Sequence, residues 1–167
     1  EKPLIKPARE VGKLMEEKEG SVNAIDNVIN KRDSSVTNLT YNNDKTRVYY
    51  TVCQYKNDND LRCDICWAKV NEDGSFGTEE KLGLPINNIE FTNTQPSFGK
   101  DPISGNDILY FVSDRTGGKG KLDIWYSIYD KKLGFSQPVN LSTINTEENE
   151  MSPFYHIPTN TLYYSTD

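Results

Sequence analysis

Three cysteines, Cys53, Cys63 and Cys66, fall close together in the chain, and its single histidine, His156, stands far downstream. Cys63 and Cys66 form a C-x₂-C pair, which is half of a zinc pattern. A structural zinc needs four ligands, and neither a second pair nor a nearby histidine follows, so no metal site is expected. Two readings of the thiols remain open. A disulfide closing a hairpin, Cys53 to Cys63, would imply an oxidising compartment; three buried thiols would suit a reducing one.

No G-x-S-x-G elbow surrounds a serine, and any Ser-His-Asp set would depend on His156 as its base. His156 falls in a polar turn, so no catalytic residue and no cofactor are expected. Gly117-Gly118-Lys119-Gly120-Lys121 combines glycines and cations as a phosphate loop does. It lacks the G-x₄-G-K-[ST] spacing, Leu122 stands where Ser or Thr is needed, and no helix begins there. The segment reads as a hairpin loop. Asn57-Asp58-Asn59-Asp60 lacks the glycine and distal glutamate of a calcium loop and reads as solvated. Glu147-Glu148-Asn149-Glu150 reads as a connection with a solvated face. Asp64 and Asp123 recur at matching positions and read as turn caps that accept backbone amides. Asp114 and Arg115 read as a local ion pair of little energetic weight. Two glycosylation sequons, at Asn38 and Asn140, fall on expected strands and are discounted.

The elements that must position these groups follow from composition and repetition. Hydrophobic residues make up 35% of the 167 positions and aromatics 11%, with Tyr (10) and Phe (6) dominant. That balance suits twisted sheets better than a helical bundle. The net charge of −6 argues against a nucleic-acid partner, which needs a basic surface. No run approaches the roughly 18 apolar residues of a membrane-spanning helix. The sequence opens on a polar stretch at Glu1 without a leader pattern, which does not place the chain in the cytosol.

The sequence repeats itself. Leu39, Pro96 and Pro153 are spaced 57 and 57 residues apart in matching contexts. Each is followed by a polar turn and then by an apolar-aromatic run: Val48-Tyr49-Tyr50-Thr51, Leu109-Tyr110-Phe111-Val112-Ser113 and Leu162-Tyr163-Tyr164-Ser165. Two copies continue through Asp64-Ile65-Cys66-Trp67 and Asp123-Ile124-Trp125-Tyr126, then through Gly-Phe turns at Phe76 and Phe135. They close on Pro85-Ile86-Asn87 and Thr143-Ile144-Asn145. Four short strands per copy, punctuated by Gly, Asn, Asp and Pro, predict an all-β fold. A period of this length with four strands is that of a β-propeller blade, a four-stranded antiparallel sheet that buries both faces by radial stacking. The expected domains are an N-terminal helical or linker segment over 1–33 and a partial propeller over 34–167. Its repeats run over about 35–90, 91–148 and a truncated 149–167, about two and a third blades. Pro96 and Pro153, without amide donors, belong at a strand start or edge.

The middle copy reads Ser113-Asp114-Arg115-Thr116-Gly117-Gly118-Lys119-Gly120-Lys121-Leu122-Asp123-Ile124-Trp125. It resembles the TolB-type, WD-like propeller repeat. With Pro138-Val139-Asn140-Leu141 and the run from Ile144 to Pro153, it is similar to the propellers of OmpA-family, peptidoglycan-associated cell-envelope proteins. The resemblance covers about 130 residues. It implies a non-enzymatic protein-binding or scaffold propeller in the periplasm or at the outer membrane of a bacterium, some relatives serving secretion and gliding. It also implies protein partners in the envelope; that no transmembrane segment is expected follows from the hydropathy above. The first copy departs from it: Cys53, Cys63 and Cys66 stand where the second has Asp114, Leu122 and Trp125. A Cys53–Cys63 bond would pin its more flexible loop. Tyr55, Arg115, Lys119 and Lys121 are the expected partner-contact residues. The competing functions are the propeller of a hydrolase, either a peptidase gate or a glycoside-cleaving body, and a glycan-binding propeller using Trp67 and Trp125.

Overall fold

The runs are short, apolar-aromatic and bounded by Gly, Asn, Asp and Pro turns, which marks strands buried on both faces, since a period of two sends one set of side chains to each face of a sheet. A computed structural model describes residues 35–57 and 60–167; the helical segment expected over 1–33 lies outside the described residues. The fold is all-β and antiparallel. The first sheet has the order β1 (Ser35–Tyr41), β2 (Arg47–Asn57), β3 (Asp60–Lys69) and β4 (Glu80–Lys81). The second has β5 (Asn93–Lys100), β6 (Asp107–Ser113) and β7 (Asp123–Asp130). Its outer strand is broken in two, β8 (Gly134–Phe135) and β9 (Val139–Asn140), both paired to β7. The first sheet's outer strand is interrupted in the same way, by a lone bridge from Val70 to Phe76 ahead of β4. The third sheet is the pair β10 (Glu150–His156) and β11 (Thr161–Thr166), joined through a 3-10 turn at Ile157–Thr159.

The repeat is visible in the backbone as well as in the sequence. The first strand of each sheet carries a bulge, between Thr37 and Thr40, Thr94 and Ser97, and Met151 and Phe154. Within each bulge one non-glycine residue adopts φ of 53°: Asn38, Gln95 and Ser152. Pro96 and Pro153 follow it directly. They sit on a first strand, where the bulge leaves their position out of the ladder and a missing amide costs nothing.

The sheets pack face to face. Tyr49 and Ile65 from the first sheet meet Phe98, Leu109, Phe111 and Trp125 from the second, with Ile86 of the connector sealed among them. The Tyr49 and Phe98 rings lie 4.6 Å apart. The other face of the second sheet meets β10, where Tyr110 stacks on Tyr155 at 5.6 Å. Gly99 leaves room for that stack, because a Cβ there would lie 2.7 Å from the Tyr155 ring. The opposite face of the first sheet gathers Val48, Tyr50, Val52, Cys66 and Ala68 under Val36, Leu39 and Phe76.

Buried asparagines finish the outer edge. The Asn87 side chain accepts from the Ile65 amide and donates to the Ile65 and Leu82 carbonyls. Asn145 does the same to both backbone groups of Ile124. Each amide side chain stands in for a strand where the outer strand runs out, so the buried polar groups of β3 and β7 keep partners.

Candidate functional site

Antiparallel order sorts the connections to two ends of the sheets. One end carries the paired tip of the β2–β3 hairpin and the loop 114–122, together with the connectors 82–92 and 141–149. The other carries the tight turns 42–46, 101–106, 131–133 and 157–160.

At the loop end, Cys53 and Cys63 face each other across β2 and β3 and are joined by a disulfide. Cys66 is buried and takes no part in the disulfide. Beyond the disulfide, Tyr55 is 69% exposed opposite Leu61. Lys56 donates to the Ile89 carbonyl at 2.8 Å and Arg62 to that of Glu90 at 3.1 Å, so the hairpin leans on the connector to the second sheet.

The four expected contact residues do not share one environment. Tyr55 and Lys121 are exposed. Lys119 is exposed but its Nζ donates to the Ser142 carbonyl at 2.7 Å. Arg115 turns inward: it donates to Ser113 Oγ, to Asn93 Oδ1 at 2.6 Å and to the Ile86 carbonyl at 2.7 Å. Its guanidinium lies 4.7 Å from the Phe111 ring centroid and 5.4 Å from that of Trp125. Burial brings its pKa down to about 10, partly offset by Asp114. Arg115 therefore ties the second sheet to the connector that precedes it. The expected Asp114–Arg115 ion pair is replaced by another, because Asp114 faces Arg62 at 3.5 Å and accepts the Thr92 amide.

The glycines of this loop serve the fold. Asp123, 1% exposed, accepts the amides of Lys119 and Gly120. A Cβ on Gly118 would collide with that carboxylate, and one on Gly120 with the Glu148 carbonyl. Asp64, at the matching position, instead pairs with Lys81 at 2.5 Å. Both tryptophans are also engaged: Trp125 is buried, and Trp67 lies half-buried beneath Arg47.

At the turn end, a cleft of ≈ 520 Å³ opens between the first two sheets, lined by Asn43, Arg47, Lys100, Asp107, Tyr129 and Lys131 among others. This is within the range of about 300–1,000 Å³ typical of ligand sites. Asn43 bridges its floor, donating to the Gly99 carbonyl and to Asp107, each at 2.7 Å. The Arg47 guanidinium lies 4.5 Å from the Trp67 ring centroid and 5.9 Å from that of Tyr129. Sequence reasoning missed this cleft because its walls come from three separate turns. His156 is far simpler: its Nδ1 meets Thr159 Oγ1 at 2.8 Å within its own turn. Among the described residues no cluster of three His, Cys, Asp or Glu side chains has metal-site geometry, and no helix is long and apolar enough to cross a membrane.

No family model, curated protein or solved structure matches this chain.

Proposed function

We propose that this chain is part of a TolB-like β-propeller that binds protein partners or scaffolds an assembly in the bacterial cell envelope, without catalysis of its own. The observation that carries the reading is the recurrence of one sheet design at 57-residue intervals, bulge for bulge at Asn38, Gln95 and Ser152. A sheet that packs both faces on copies of itself is the unit from which propellers are built, and successive copies lead toward a ring of about four to eight. The Cys53–Cys63 disulfide supports an oxidising compartment such as the periplasm. The loop end presents Tyr55 near the tip of the β2–β3 hairpin and Lys119 and Lys121 in the loop between β6 and β7, carried on a strand scaffold as binding loops commonly are.

The test is site-specific photocrosslinking from Lys121 in bacterial cells producing the protein from its complete reading frame. The expected result is a discrete crosslink to an envelope protein that weakens when Lys119 is changed to Glu. Crosslinks confined to cytosolic proteins would sink the envelope role. Crosslinks indifferent to Lys119→Glu would remove this loop from the partner surface.

A further inference from the structure

The turn end carries charge in an unequal state. Its carboxylates are engaged by the turns themselves. Asp44 accepts from Thr46 Oγ1 at 2.5 Å, from the Thr46 amide and from Asn42. Asp101 accepts from Ser104 Oγ and its amide, and Asp130 from the amides of Lys132 and Leu133. Asp107 receives Asn43 on the floor of the cleft. Asp44 and Asp107 line the cleft as well, so its lining sets three cations against two carboxylates. Among the described residues, Arg47, Lys100 and Lys131 form no ion pair, although all three line one cleft. Lys131 is close enough to Asp44 for its charge to be felt there.

Arg47 is held for use. Its planar guanidinium rests over Trp67 and hydrogen-bonds the Tyr129 hydroxyl at 3.4 Å, so aromatic faces fix its plane and leave it without a carboxylate. An arginine pre-oriented in this way accepts a carboxylate with little further loss of side-chain freedom. On the turns that supply the cleft walls, Ile103 is 94% exposed and Leu133 is 89% exposed, though neither lines the cleft itself. They flank Lys100 and Lys131 in sequence. A ligand matching this end needs carboxylates for the cleft and apolar side chains for the turns beside it. The chain's net charge of −6 disfavours long polyanions such as nucleic acid.

We propose that the cleft between Asn43, Arg47, Lys100 and Lys131 is a docking site for an acidic peptide segment with interspersed aliphatic residues. Its carboxylates meet Arg47 and the two lysines, and its aliphatic side chains cover Ile103 and Leu133. The site is at the opposite end of the sheets from Lys119 and Lys121, and it does not depend on whether the sheets belong to a closed ring.

The experiment is fluorescence anisotropy with a short fluorescein-labelled peptide of Glu, Leu and Gly, titrated with the full chain. Saturable binding is expected, weakening as salt rises. The same peptide with Gln for Glu should bind about tenfold more weakly or worse. Lys100 and Lys131 are exposed, so the double variant Lys100→Glu, Lys131→Glu should fold and lose about tenfold or more in affinity. The variant Lys56→Glu, Lys81→Glu, at exposed positions outside the cleft, should bind as the parent does. Equal binding of the Gln peptide, or an equal loss from both double variants, would overturn the site. A single-stranded oligodeoxynucleotide that competes as well as the Glu peptide would make the cleft a general anion site and overturn the peptide assignment.

Discussion

Glu150 is the most informative single residue. It is fully buried at the start of β10, at the position occupied by Asn93 in the second sheet and Val36 in the first. Its carboxylate accepts the Thr146 amide at 2.9 Å, the Thr146 hydroxyl at 2.5 Å and the Thr166 hydroxyl at 3.1 Å. Burial pushes its pKa up, but these hydrogen bonds and the nearby Lys119 charge bring it below its ordinary value. A depressed folded-state pKa contributes stability that is complete above the unfolded value, about 4.3 for Glu, and is lost as pH falls through the folded value. Glu150→Gln should therefore be less stable than the parent at neutral pH, with the two urea stabilities converging as pH drops below about 4. Parallel curves would show that Glu150 does not carry this acid sensitivity. Asp44, Asp73 and Asp101, lowered by bonds from Thr46, Ser75 and Ser104, act with the same sign and leave the variant some acid dependence.

The strands themselves were legible in the sequence, because a short run rich in β-branched and aromatic residues between Gly, Asn and Pro turns is too short for a helix and suits a strand buried on both faces. The runs around Tyr49, Phe111 and Tyr163 all fold as strands, and Pro96 and Pro153 both lie on first strands. What escaped was every contact between residues distant in sequence. Arg115 was read beside its neighbour Asp114, yet its partners Ile86 and Asn93 lie more than twenty positions upstream. Arg47 finds Tyr129 at a separation of 82. Spacing encodes neighbours on one element and is silent about which edge of one sheet meets the next. The β2–β3 hairpin gives an element-scale prediction. Its disulfide closes a loop of sequence separation 10 at the point where the strands leave the packed core. Cys53→Ser with Cys63→Ser should cost at most about 3 kcal/mol, since much of the hairpin is already ordered by its ladder. Hydrogen exchange should quicken for the amides of Gln54 to Lys56 and Leu61 to Arg62, while those of Val48 to Val52 stay protected. Loss of protection along all of β2 would mean that the disulfide organises the sheet rather than its tip.

Over the whole described fold, coverage is uneven. The second sheet is packed on both faces, between Tyr49 on one side and Tyr155 on the other. The third leaves Phe154 44% exposed and Tyr163 50% exposed, their rings 6.4 Å apart. Adjoining exposed aromatics of this kind bind apolar dyes. The chain of these 167 residues should enhance ANS fluorescence in its native state, and Phe154→Ser with Tyr163→Ser should reduce that signal while the near-UV circular dichroism of the buried aromatics persists. An unchanged signal would place the accessible apolar surface elsewhere.

The left-handed bulge on each first strand has a consequence for how such a chain leaves the ribosome. The bulge turns a backbone amide out of its own ladder and toward the preceding sheet. The Gln95 amide donates to Thr51 Oγ1 at 2.9 Å, and the Ser152 amide donates to Gln95 Oε1 at 2.6 Å. In both cases the acceptor is synthesised before the donor. Each sheet thus emerges with its docking point already in place on the one before it, and assembly can advance in the direction of translation, one sheet at a time, without waiting for the sequence still to come.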